Sequence, residues 1–153
     1  MRPYYEGWYM KQQQGGDILA VIPGRAQDEA FIQVVTADGA YYLPFPLEDF
    51  RQTGTRSMRV GRSLFSPIGM MLDVQAPGLE LVGRLRYREL TPLRSDIMGP
   101  FAYLPLETKH TVFSMRHRVA GEVELNGRTL RFENAKGYME GDRGHSFPRG
   151  YTW

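Results

Sequence analysis

The residues best equipped for chemistry lie in the last seventeen positions, Gly137-Tyr-Met-Glu-Gly-Asp-Arg-Gly-His-Ser-Phe-Pro-Arg-Gly-Tyr-Thr-Trp153. Two carboxylates (Glu140, Asp142), an imidazole (His145) and a hydroxyl (Ser146) stand among four glycines, a spacing that lets backbone and side chains approach a ligand closely. On an extended strand, side chains two apart face the same way. Paired acids of this kind could divide the work, one delivering a proton and the other staying charged to stabilise a cation, with His145 relaying a proton to Asp142. The plainer alternative is that both carboxylates cap the turn at residues 141–144 or pair with Arg143 and Arg149.

A second constellation is Tyr4-Tyr5-Glu6-Gly7-Trp8-Tyr9. As a strand it sets Tyr4, Glu6 and Trp8 on one face and Tyr5, Gly7 and Tyr9 on the other. Glu6 between aromatics could anchor a ligand hydroxyl, or it could bond an arginine while Trp8 packs the bottom of a barrel. The three histidines, His110, His117 and His145, show no short metal-ligand spacing, so no metal is expected. Ser146 has no nucleophile-elbow context, and no phosphate-binding glycine motif is present.

Three blocks, in order along nearly the whole chain, carry a family resemblance. The terminal stretch resembles the G-Y-x-E-x-D-W-G-x-S-F-P-x-x-Y-x-W signature of tocopherol-cyclase-like proteins. Tyr4 to Lys11 is similar to that family's opening E-G-W-Y-F-K. Leu90-Thr-Pro-Leu with Ile97-Met-Gly-Pro-Phe-Ala-Tyr103 is similar to its central segment. Arg143 stands where the family has Trp, and Gly141 where it usually has Lys.

The resemblance implies a lipocalin-like barrel, related to carotenoid-hydratase-type barrels, of which two commonly share one chain. Residues 1–153 would then be a single barrel domain, the N-terminal half of a longer two-barrel protein. It also implies acid-catalysed cyclisation of a prenylated phenol or quinol to a chromanol, without a cofactor. That reaction protonates an unactivated double bond and traps the carbocation with the phenolic oxygen, away from water. Asp142, Glu140 and His145 are the expected catalytic groups. Glu6, Trp8, Tyr5, Phe101, Tyr103, His117, Tyr138 and Phe147 are the expected ligand contacts. An aromatic ring at position 143 could stabilise the cation, whereas the Arg143 guanidinium would repel it.

Composition narrows the function classes. With 42% hydrophobic and 24% charged residues the chain is an ordinary globular one, long enough to bury roughly two-thirds of its unfolded surface. Net charge is only +2, carried by sixteen arginines and three lysines interleaved with acids, which argues against nucleic-acid binding. Arg84, Arg86 and Arg88 read as one solvated strand face. Having no cysteine, the chain uses neither disulfides nor thiolate chemistry. No apolar run approaches the ~20 residues that span a bilayer, and no signal segment opens the chain, so a cytoplasmic setting is expected.

Most of the sequence alternates with period two between short turn signals, the pattern of antiparallel strands. The expected fold is all-β, an antiparallel lipocalin-like β-barrel or sandwich with short turns and at most one short helix, placed at Leu47–Thr55. Pro23-Gly24 and Pro44-Phe45-Pro46 are expected to end strands. Asn126-Gly127 is the clearest hairpin turn. Counting out from it pairs Leu125 with Arg128, Val123 with Leu130, Gly121 with Phe132 and Val119 with Asn134, and it turns Phe113, Met115 and His117 inward. Residues 89–109, with three prolines, form a long loop, either a binding element or an apolar plug at one barrel end.

Three functions fit these readings. One is the cyclase. Another is a non-catalytic carrier of an apolar small molecule, a prenylated aromatic or isoprenoid. The third is an incomplete barrel that self-associates through its edge strands.

Overall fold

The computed structural model describes residues 4–145, and most of them are in strands. In chain order these are β1 (Tyr5–Gln14), β2 (Asp17–Ala26), β3 (Glu29–Thr36), β4 (Ala40–Pro46), β5 (Phe50–Gly54), β6 (Ser57–Val60), β7 (Ser63–Ser66), β8 (Gly69–Ala76), β9 (Leu79–Arg88), β10 (Thr108–Leu125) and β11 (Arg128–Gly144). They form one antiparallel sheet in the order β4-β3-β2-β1-β11-β10-β9-β8-β7-β6-β5. First and last strands pair at its centre, so the edges are β4 and β5, the strands through which the expected self-association would run.

Those two edges are consecutive in sequence, joined by a 3-10 turn at Leu47–Asp49. A sheet whose opposite edges share so short a connection must roll. Gly61, after β6, donates to the Asp49 carbonyl at 3.0 Å. The inner faces meet in one core in which Met10, Ile32, Val60, Phe65, Phe132 and Met139 are buried. The roll is not closed by a β4–β5 ladder.

The strands follow the alternation where it is clean. In β9, Leu79, Leu81, Leu85 and Tyr87 are buried while Glu80, Arg84, Arg86 and Arg88 are exposed. Three expectations are corrected. Leu47–Thr55 is helical only over its first three residues, because Phe50 to Gly54 pairs with β6 instead. Pro44 and Pro46 lie within β4, which tolerates them as an edge strand with one unpaired side. Pro23 lies within β2, in register with Ile32 of β3 and in an interruption of the β1–β2 pairing, where no N–H is required.

The loop after β9 runs along β10. Thr91 N–H donates to the Arg116 carbonyl at 3.0 Å, and the Thr91 carbonyl accepts from Met115 N–H at 2.9 Å. The loop neither plugs the interior nor turns its rings inward: Phe101 is 61% and Tyr103 92% exposed.

A small polar group is sealed in the core. Tyr87 hydroxyl donates to Gln12 Oε1 at 2.6 Å, and Gln12 Nε2 donates to the carbonyls of Met10 and Leu19. Burial pushes the Tyr87 phenol far up. The His117 ring packs 4.3 Å from that of Tyr87, and neither of its nitrogens has a hydrogen-bond partner. Gly137 makes the room, since a Cβ there would stand 2.1 Å from His117 Nε2.

Candidate functional site

The end of β11 lies between β1 and β10, with Glu140 opposite Tyr9 and Val112, and Asp142 opposite Gly7 and His110. Glu140 and Asp142 do share a face, as their spacing requires, but it is the outer one. Gly137, Met139 and Gly141 take the inner side. The physical reason is a bulge at Asn134, whose φ is +57°. Val119 therefore pairs with Ala135 rather than Asn134. One extra residue exchanges the faces of everything beyond it. Further register shifts between Val112 and His117 turn Met115 outward, half-exposed, while His117 stays inside.

On the outer face, four groups form a chain. His110 Nδ1 lies 2.6 Å from Asp142 Oδ1, and His110 Nε2 lies 3.4 Å from Glu140 Oε2. Tyr138 hydroxyl donates to the same Glu140 oxygen, and Tyr9 packs edge-on to Tyr138 with ring centroids 6.3 Å apart. Burial, then the Glu140 bond and charge, push the Tyr138 phenol well above its ordinary value; burial and Glu140 raise Tyr9 likewise. Such a series of acid, imidazole, acid and phenol can pass a proton along its length. The imidazole beside Asp142 is thus that of His110. His145 packs edge-on against Tyr4, 5.6 Å between centroids, and Tyr5 bonds Thr108 at 2.8 Å.

On the inner face of the same strand ends is a cleft of about 270 Å³, whose lining includes Glu6, Trp8, Phe50, Phe113, Arg56 and Arg143. Trp8 and Phe113 pack at 5.1 Å. Gly141 lies beneath them, since a Cβ there would be 2.7 Å from Phe113 and 3.0 Å from Trp8. The Arg56 guanidinium stands 5.6 Å from the Phe113 ring centre. Glu6 accepts from Arg25 Nε at 2.8 Å and from Tyr4 hydroxyl at 3.2 Å, the arginine bond anticipated for this residue. No group of three or more His, Asp or Glu side chains among the described residues is arranged to hold a metal ion.

No protein-family model and no curated protein matches this chain. It is similar in fold to a crystal structure from Nitrosomonas europaea, solved under the provisional description ATTH, with a TM-score of 0.51 at 14% identity. The match covers 97% of this chain and 53% of that one. This chain spans about half the neighbour's length, and the likeness is one of architecture. No helix among the described residues is long and apolar enough to cross a membrane.

Of the expected site residues, the structure brings together Glu6 and Trp8 on the inner face and Glu140, Asp142 and Tyr138 on the outer. His117 is sealed in the core, Phe101 and Tyr103 are in the exposed loop, and Ser146 and Phe147 lie outside the described residues. Sequence reasoning missed His110, Phe50 and Arg56. His110 was hidden because three register shifts lie between the Asn126-Gly127 turn and its pairing with Asp142, and no residue type announces them. Phe50 and Arg56 have no signal either, because only the roll of the sheet carries β5 and its following turn to β1.

Proposed function

We propose that this chain binds a small, largely apolar molecule in the Trp8–Phe113 cleft, as a lipocalin-like carrier would. The observation that supports the reading is the cleft itself, lined by the rings of Trp8, Phe50 and Phe113. At about 270 Å³ it falls just below the usual range for small-molecule sites, roughly 300–1,000 Å³. It suits one ring system, with any prenyl tail left outside. Gly141→Ala, which drives a methyl group between Trp8 and Phe113, is expected to weaken binding of a ring-sized ligand about tenfold or more. Trp8 fluorescence is the readout. Unchanged affinity in that variant would place the ligand elsewhere.

A second reading is the cyclase that the tocopherol-cyclase-like resemblance implies, and the outer chain of Asp142, His110, Glu140 and Tyr138 favours it. A proton from this chain would add to the prenyl double bond and the phenolic oxygen would close on the resulting cation. The phenol proton would then return to a carboxylate, so the net change is an isomerisation. The prenyl chain would then have to lie against the outer face of β11, and Asp142→Asn is expected to lower conversion of a prenylquinol at least ~100-fold. A wild-type chain that binds a prenylquinol and never converts it leaves the carrier alone standing.

A further inference from the structure

The cleft beside Trp8 contains two cations that no carboxylate among the described residues pairs with, although one of them, Arg56, lies over the Phe113 ring. Arg56 and Arg143 both line it, and neither forms an ion pair with a carboxylate among the described residues. The negative groups of the wall are already engaged. Glu6 is held by Arg25, and the Asp142 carboxylate is turned to the other side of β11, against His110. Two guanidinium groups are therefore left over at the rim of a cleft whose floor is Trp8, Phe50 and Phe113.

We propose that the ligand taken here is an aromatic anion, a planar ring carrying a carboxylate, sulfonate or phosphate, with the ring on the Trp8–Phe113 floor and the anion on Arg56 and Arg143. This rests on the proposal that the cleft binds small molecules and adds the ligand's charge. Guanidinium is well suited to hold such an anion, because its fork of N–H donors matches the anion's oxygens two at a time. It also remains charged at any working pH. The same two groups make the cleft a poor place for a carbocation. Charge therefore separates the two faces of β11, with anion recognition inside and proton handling outside.

The test uses the full chain carrying Trp153→Phe, so that Trp8 is the only fluorophore of its kind. It is titrated at pH 7 and low salt with naphthalene-1-carboxylate and with its neutral amide. The carboxylate is expected to bind about tenfold more tightly or better, and raising salt to about 0.5 M is expected to remove most of that advantage. Arg56→Gln with Arg143→Gln, both at exposed positions, is expected to make the two probes equal while amide binding is kept. Equal binding of the two probes to the chain with both arginines present overturns the ligand class and leaves the cleft as a neutral-ring site. An anion preference that survives loss of both arginines also overturns it. If neither probe perturbs Trp8, the cleft is not a binding site and both proposals fall.

Discussion

Lowering the pH from 7 to 4 is expected to remove about 3 kcal/mol of stability through His117 alone. The ring is 2% exposed and both its nitrogens are buried without a partner. Burial by itself therefore lowers its pKa from 6.5 to about 4. In the unfolded chain the same imidazole takes its proton near the ordinary value of about 6.5. Between those two values the unfolded state holds more protons than the folded one, so stability falls as pH falls through that window and levels off below it. Urea unfolding of the wild type and His117→Leu at several pH values checks this. The stability difference between them should shift in the variant's favour by about 3 kcal/mol from pH 7 to pH 4. A pH-independent difference would mean that His117 is solvated or paired.

Gly121→Ala is expected to destabilise the fold by about 3 kcal/mol or more, lowering Tm by roughly 10 °C. Two penalties coincide at this position. Its φ of +134° is one that side-chain-bearing residues rarely adopt, and an added Cβ would stand 2.1 Å from the Arg84 carbonyl oxygen. The first is worth about 1–3 kcal/mol and the second about as much again. The obstacle is backbone of β9, so no rotamer change relieves it. Gly16→Ala, whose Cβ would meet nothing within 4 Å, is the control and should fall within about 0.5 kcal/mol of wild type. Thermal unfolding of the two variants separates them. Equal melting temperatures would show that β9 and β10 can move apart at Gly121 without loss.

Both predictions concern places where the strand pattern departs from regularity, and the same places limited what could be foreseen. The hairpin at Asn126-Gly127 was legible because its turn needs positive φ, and those two residues have φ of +50° and +80°. Its register is as counted as far as Gly121 and Phe132. Asn134 then adopts positive φ and inserts a residue. Asn is among the side chains that tolerate that conformation, but nothing distinguishes this Asn from one in an ordinary exposed strand position. That inserted residue is what sets Glu140 and Asp142 on the outer face.

The alternation of apolar and polar residues was enough to establish an all-β chain, its principal hairpin, the buried face of β9 and the inward His117. These depend on neighbours in sequence or on a turn's own residues, and short-range sterics act the same way in any fold. The order of strands, the meeting of β1 with β11 and the roll that brings Phe50 and Arg56 to Trp8 were decided by tertiary structure. So was the choice of His110 as Asp142's partner. Each of those brings together residues far apart in the chain, and it is the burial of one shared core, rather than any local preference, that selects them.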